Sequence, residues 1–167
     1  MKVAFVGGGN MAAAMIGGML DAGFNTVDIE VLEPSAERRE QLAAQYRVRS
    51  QANAGDWLST AEVIVLAVKP QQMRTAIDSI KPCLQRPLIL SIAAGVRATT
   101  IARWLGNDCV VRAMPNTPAL VRASITGACA MPKVSALQKG AAEQILKAVG
   151  QVIWFDDEAM LDPVTAV

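Results

Sequence analysis

The chain contains no histidine. That absence removes the commonest general acid/base at neutral pH and the usual imidazole ligand of a metal ion. Cysteine is scarce as well, at three residues: Cys83, Cys109 and Cys129. An odd number, widely spaced among apolar neighbours, reads as buried thiols and not as a disulfide or zinc framework, so no metal site is expected. Charge of either sign is nearly balanced, with a net +1 over 167 residues, which leaves no basic excess for nucleic acid. Long hydrophobic runs are missing too. The longest, residues 63–68 and 88–92, fall far short of the roughly 20 apolar residues that a membrane span requires. Met1 and Lys2 lead straight into a strand-like run, with no targeting segment in between. A cytoplasmic chain without membrane or nucleic-acid partners is the expectation.

What the chain does have is apolar residues, 52% of the total, and they are grouped. Short runs rich in Val and Ile at residues 3–6, 29–32, 63–68, 88–92, 110–114, 125–131 and 152–155 predict strands. Helical patterns at residues 11–22, 36–45, 71–81, 100–105 and 137–149 fall between them. This alternation predicts βαβ units: an α/β fold of the Rossmann type, doubly wound, with a mostly parallel sheet and helices on both faces. The runs lack a clean period of two, as strands covered on both faces should. Ser35 and Ser135 are candidate helix N-caps, and Pro70 suits a first helical turn. With no repeat and no Ser/Gly-rich linker, one domain is expected over residues 1–155. Residues 156–167, DDEAMLDPVTAV, carry turn chemistry at Asp162-Pro163 and then an apolar finish. They read as the entry to something further.

The first strand runs into three glycines, and Gly7, Gly9 and Ala12 satisfy the pattern G-x-G-x-x-[GA] between a strand and a small-residue helix. Gly7 permits the tight turn, Gly9 lets the backbone approach a pyrophosphate, and Ala12 lets the helix pack close to the sheet. The phosphate would sit on the free N–H groups of a helix that begins near Asn10. Glu33 ends the second strand, 24 residues after Gly9, where a carboxylate could accept the adenosine ribose hydroxyls and disfavour a 2′-phosphate. Arg38 and Arg39 could instead pair with such a phosphate, or lie on a solvated helix face beside Glu37 and Glu40. NADP or NAD is therefore the expected cofactor, with the preference open.

Further along, Ala67-Val68-Lys69-Pro70 closes a central strand at the border of the ligand crevice, and Lys69 could bond a ribose or substrate, or simply reach solvent. The small residues of SIAAGV, 91–96, would leave room for a flat ring. In Arg112-Ala113-Met114-Pro115-Asn116-Thr117-Pro118, two prolines stiffen a strand-end loop that holds an amide and a hydroxyl, so Pro115, Asn116 and Thr117 are candidates for a loop on the substrate side.

Taken together, FVGGGNMAAAMIGG, LAVKPQ, LSIAAGV, VRAMPNTPALV and LDPVTAV resemble pyrroline-5-carboxylate reductase. The resemblance implies NAD(P)H-dependent reduction of a cyclic imine, 1-pyrroline-5-carboxylate, to proline. It implies cofactor contacts from Gly7, Gly8, Gly9, Asn10, Met11, Ala67, Val68, Lys69 and Pro70, and from Asn53. It also implies that a helical domain follows, opening with DPVTAV, which builds a homo-dimer or higher homo-oligomer and supplies the proton donor. No catalytic residue is named within these 167, and the part alone would be inactive. Where members of that family carry a polar or arginine-containing pair after the second strand, this chain has Glu33-Pro34. Two alternatives remain. One is another two-domain reductase of the β-hydroxyacid dehydrogenase type; the other is a non-catalytic module that senses NAD(P). A short-chain dehydrogenase is excluded, because the sole tyrosine, Tyr46, is followed four positions later by Ser50 and not by lysine.

Overall fold

A computed structural model of the chain describes residues 1–162. In chain order the elements are β1 (Val3–Val6), α1 (Asn10–Asp21), β2 (Ile29–Leu32), α2 (Ala36–Tyr46), β3 (Arg49–Gln51), β4 (Val63–Leu66) and α3 (Met73–Ile80). They continue with β5 (Leu88–Ser91), α4 (Ala98–Leu105), β6 (Val110–Met114), β7 (Ser124–Ala130), α5 (Ala136–Lys147) and β8 (Gly150–Trp154), with short 3-10 turns in the connections. The strands form one sheet in the order 3-2-1-4-5-6-7-8. β1 to β6 pair in parallel, β7 runs antiparallel to β6, and β8 follows β7 in parallel. The doubly wound, mostly parallel sheet expected from the alternation of runs is thus present.

Every residue of β1, β4, β5 and β6 is buried, which is why these strands read as apolar runs, interrupted at Ser91 and Arg112. Two cores flank them. Met15, Ile16 and Met19 of α1, Leu42 of α2 and Ile145 and Leu146 of α5 pack with Phe5 and Val65 on one face. Met73 and Ile77 of α3 and Ile101 of α4 pack with Ile64 and Ile89 on the other. Helices therefore cover both faces of the sheet.

The differences from expectation have local causes. β3 has no apolar signal, because Arg49, Ser50 and Gln51 form a polar edge held to β2 by its backbone, with Arg49 paired to Glu30 at 2.8 Å. The run at 63–68 stops being strand after Leu66, although the Ala67 N–H still donates to the Val6 carbonyl at 2.8 Å. The predicted helix 71–81 shortens to α3 because Pro70 and Pro82 open 3-10 turns at either side of it. The remaining element ends shift by up to two residues, as at α4, which starts at Ala98 and not at 100. Of the three thiols only Cys129 is buried; Cys83 and Cys109 are half-exposed, and all three are unbridged. Among the described residues, no helix is long and apolar enough to cross a membrane.

Candidate cofactor site

The order 3-2-1-4-5-6 reverses the direction of winding between β1 and β4, and the crevice of such a sheet opens at the carboxyl ends of these two strands. β1 delivers the glycine turn to that point. Gly7 has φ +101°, and its N–H donates to the Leu32 carbonyl at 2.9 Å. A Cβ there would stand 2.7 Å from the Ala67 carbonyl oxygen and 3.0 Å from Val68 Cγ1, so the turn is seated directly on the exit of β4. Only glycine fits that seat.

Gly9 differs. Its backbone is extended, at φ −75° and ψ −170°, and a Cβ added to it would meet nothing within 4 Å. Gly9 is the N-cap of α1 and offers no side chain to its first turn, which also lacks acidic residues. The first N–H groups of α1, at exposed Asn10, half-buried Met11 and buried Ala12, lie at the positive end of the helix dipole. An open, uncapped helix start behind a bare glycine suits an anion.

Glu33 holds the turn from the other side. Its Oε2 accepts from the Gly8 N–H at 2.8 Å and its Oε1 from the Ser35 N–H at 3.0 Å. This clamping role was not legible in the sequence, where Glu33 reads only as a ribose acceptor; spacing along the chain does not reveal which backbone a carboxylate will face. The two arginines do not form a merely solvated face. Arg39 Nη1 donates to the carbonyls of Glu33 and Pro34, each at 2.8 Å, and exposed Arg38 places its Nη1 3.4 Å from the Gly8 carbonyl.

Beyond β4, Ala67 and Val68 are half-buried, while Lys69 and Pro70 are exposed. After β5, buried Ser91 accepts from the Ala93 N–H at 3.4 Å, and Gly95, at φ +77°, turns the chain toward α4. After β6, Asn116 is tied to the start of β7: its side-chain Oδ1 accepts from the Ile125 N–H at 3.2 Å, and its backbone N–H donates to Ser124 Oγ at 3.4 Å. Pro115 is half-buried beside it, and Thr117 opens a 3-10 turn. Asn53 lies two residues past β3, exposed, with its carbonyl accepting from Trp57 Nε1 at 3.3 Å.

Parallel pairing puts all these strand ends on one edge. Along it come Asn53, Glu33, the glycine turn, the segment 67–70, the segment 91–96 and finally Pro115, Asn116 and Thr117. From β2 to β6 this edge spans about 19 Å at the usual spacing of strands, enough for an extended ligand with a second molecule at its end. The fold brings the six segments together, with Asn53 at the far end from Asn116.

One buried charge went unassigned in the sequence. Arg112 stands in the middle of β6, only 3% exposed. Its Nη1 bonds Glu158 Oε1 at 3.0 Å and its Nη2 reaches Asp162 Oδ1 at 3.5 Å, while its Nε is buried without a hydrogen-bond partner among the described residues. Glu158 Oε1 also accepts from the Ala98 N–H at 2.8 Å, at the start of α4. An arginine inside the apolar run VVRAM was the visible signal.

Residues 2–95 match the family model described as NADP oxidoreductase, coenzyme F420-dependent. Over 168 aligned residues the chain is 43% identical to a pyrroline-5-carboxylate reductase of Pseudomonas aeruginosa, covering 99% of this chain and 62% of that one. The solved structure of a pyrroline-5-carboxylate reductase from Coxiella burnetii superposes with a TM-score of 0.94 at 36% identity, covering 99% of this chain and 63% of that one. That of Plasmodium falciparum pyrroline carboxylate reductase with NADP bound shares the fold, with a TM-score of 0.83 at 24% identity over 96% of this chain and 59% of that one. The chain thus spans less than two thirds of the length of these relatives.

Proposed function

Because this chain belongs to the family of NADP oxidoreductases described as coenzyme F420-dependent, we propose that it forms the dinucleotide-binding part of a pyrroline-5-carboxylate reductase. The observation that carries the reading is the convergence, on one sheet edge, of an uncapped α1 behind Gly9 with the segments 67–70 and 115–117. NAD(P)H, when bound, supplies a hydride to the C=N carbon of the cyclic imine, whose nitrogen keeps a proton and becomes the amine.

The chain's own residues bind and orient. The N–H groups of Asn10 and Met11 hold the pyrophosphate, Gly9 leaves its approach open, and Glu33 faces the adenosine ribose. Gly7, Gly8, Ala67, Val68, Lys69 and Pro70 wall the middle of the crevice, and Asn53 borders its adenosine end. Pro115, Asn116 and Thr117 form the wall next to the imine. A protonated imine is already electrophilic, so fixing its carbon against the nicotinamide accounts for much of the rate, and a histidine is not needed. Residues 1–155 are the cofactor domain in this reading. The segment 156–167, of which 163–167 lie outside the described residues, leads toward a helical part that contributes the proton donor and builds a homo-oligomer in the cytoplasm. The greater length of the relatives supports that division.

The test is a calorimetric titration with NADH and NADPH, followed by an assay of imine reduction in a chimera carrying the C-terminal part of the Pseudomonas aeruginosa relative after residue 167. Binding by the chain and turnover by the chimera are expected. Binding without turnover in the chimera would leave a sensing module, and turnover of a hydroxyacid in place of the imine would indicate the other reductase class.

A further inference from the structure

The start of α4 has no cap of its own. Its N-cap residue is Arg97, whose side chain makes no capping bond, and its first turn carries no acidic residue. The acceptor comes from far along the chain: Glu158 Oε1 takes the Ala98 N–H at 2.8 Å. The same oxygen accepts from Arg112 Nη1 at 3.0 Å, and Arg112 is only 3% exposed. A guanidinium buried that deeply in β6 cannot release its carboxylate without leaving a charge unpaired, so Arg112 fixes Glu158 and Glu158 fixes the helix start. Residues 92–97 join β5 to that start and hold most of the small-residue segment 91–96. At one end the Ile92 N–H donates to the Leu66 carbonyl at 3.1 Å, and at the other Ala98 hangs on Glu158. Between these anchors Ala94 and Gly95 are exposed, and Gly95, at φ +77°, makes the bend. Resting on the function proposed above, we propose that Glu158 is a positioning residue for the hydride-transfer end of the crevice: through the start of α4 it holds the turn 92–97 in place as the wall for the nicotinamide ring. Arg112 also stands in the strand that delivers Pro115, so the same carboxylate steadies the root of the loop 115–117. The glycine turn has separate supports, in the Leu32 carbonyl and Glu33. Loss of the Glu158 carboxylate therefore acts on one end of the ligand and spares the pyrophosphate.

The experiment compares two ligands by calorimetry: whichever of NADH and NADPH the chain binds more tightly, and the same molecule without its nicotinamide, ADP-ribose or ADP-ribose 2′-phosphate. Each is titrated into the unaltered chain, Glu158→Ala and Glu158→Gln. The unaltered chain should bind the full dinucleotide about tenfold more tightly than the truncated one or better, and Glu158→Ala should remove most of that advantage. Glu158→Gln, which keeps an acceptor oxygen but not the charge, should lose about threefold of it. The ratio of the two affinities is the informative readout, because a general loosening of the protein weakens both ligands alike and leaves it unchanged. A ratio unchanged in Glu158→Ala, or equal binding of both ligands by the unaltered chain, overturns the inference and leaves the proposed function standing. Failure of the unaltered chain to bind either ligand overturns that function, and the inference with it. If Glu158→Ala does not fold, as judged by circular dichroism, the ratio in Glu158→Gln decides in its place: a fall supports the inference and an unchanged value overturns it.

Discussion

Gly7 and Gly9 sit two positions apart and answer to different constraints. Gly7 is required by the fold: a side chain there meets a backbone carbonyl and a positive φ together. Gly7→Ala should cost about 2–3 kcal/mol and lower the melting temperature by roughly 5–10 °C. Gly9 is free of both constraints, so Gly9→Val should keep the melting temperature within a few degrees while abolishing dinucleotide binding by calorimetry. Unchanged affinity in Gly9→Val would remove the phosphate from this turn. Cys129 makes a separate case. Burial pushes its thiol pKa up, Glu158, Asp157 and Asp156 add to the rise, and Arg112 opposes it. The folded state therefore keeps this proton at a pH where the unfolded chain releases it. Stability from this source is intact below the unfolded thiol's pKa, about 8.5, and declines as pH rises above it. Denaturant unfolding across that range should show the decline in the unaltered protein and a weaker one in Cys129→Ala.

At the level of elements, the two serine N-caps were legible in the sequence, because their chemistry is local. Ser35 Oγ accepts from the Arg38 N–H at 3.4 Å. Ser135 and Gln138 form a reciprocal pair, with bonds of 3.1 and 3.0 Å between each side chain and the other's backbone N–H. Ser135→Ala should cost about 1 kcal/mol and lower the melting temperature by roughly 2–4 °C in a thermal circular dichroism scan. An equal melting temperature would mean that packing of Ala142, Ile145 and Leu146 alone holds α5 in place. Against these two capped helices stands α1, whose start behind the glycine turn has no side-chain cap. β3 escaped sequence reading for the converse reason: its three residues hold their place through the backbone of β2 and show no side-chain pattern.

On the scale of the whole molecule, residues 156–162 fold back onto the sheet. Leu161 is fully buried with Met114, Cys129 and Phe155, and Glu158 ties Arg112 to the start of α4. The sequence suggested only an exit from the domain, since an acidic, turn-rich stretch shows no partner until β6 and α4 are placed beside it. Of the two apolar residues 160 and 161, Met160 is exposed and Leu161 is buried, while 163–167 lie outside the described residues. Glu158→Gln would weaken the pairing of a buried guanidinium and should cost on the order of 2–3 kcal/mol. Chymotrypsin should then cut after Phe155 or Leu161 faster than in the unaltered chain, as followed by mass spectrometry. Equal cleavage rates would show that the apolar contacts of Leu161 suffice.

The sequence by itself determined the class of the fold, the seven apolar strands and the glycine turn. Runs buried on both faces, capped helix starts and a positive-φ glycine are written in adjacent residues. Contacts between residues far apart in the chain were decided only by the tertiary structure. It set Gly7 against Ala67, closed Glu33 onto Gly8 and buried Arg112 beneath Glu158. Each of these depends on which strands become neighbours, and strand order is settled by packing across the whole sheet, which no local pattern encodes.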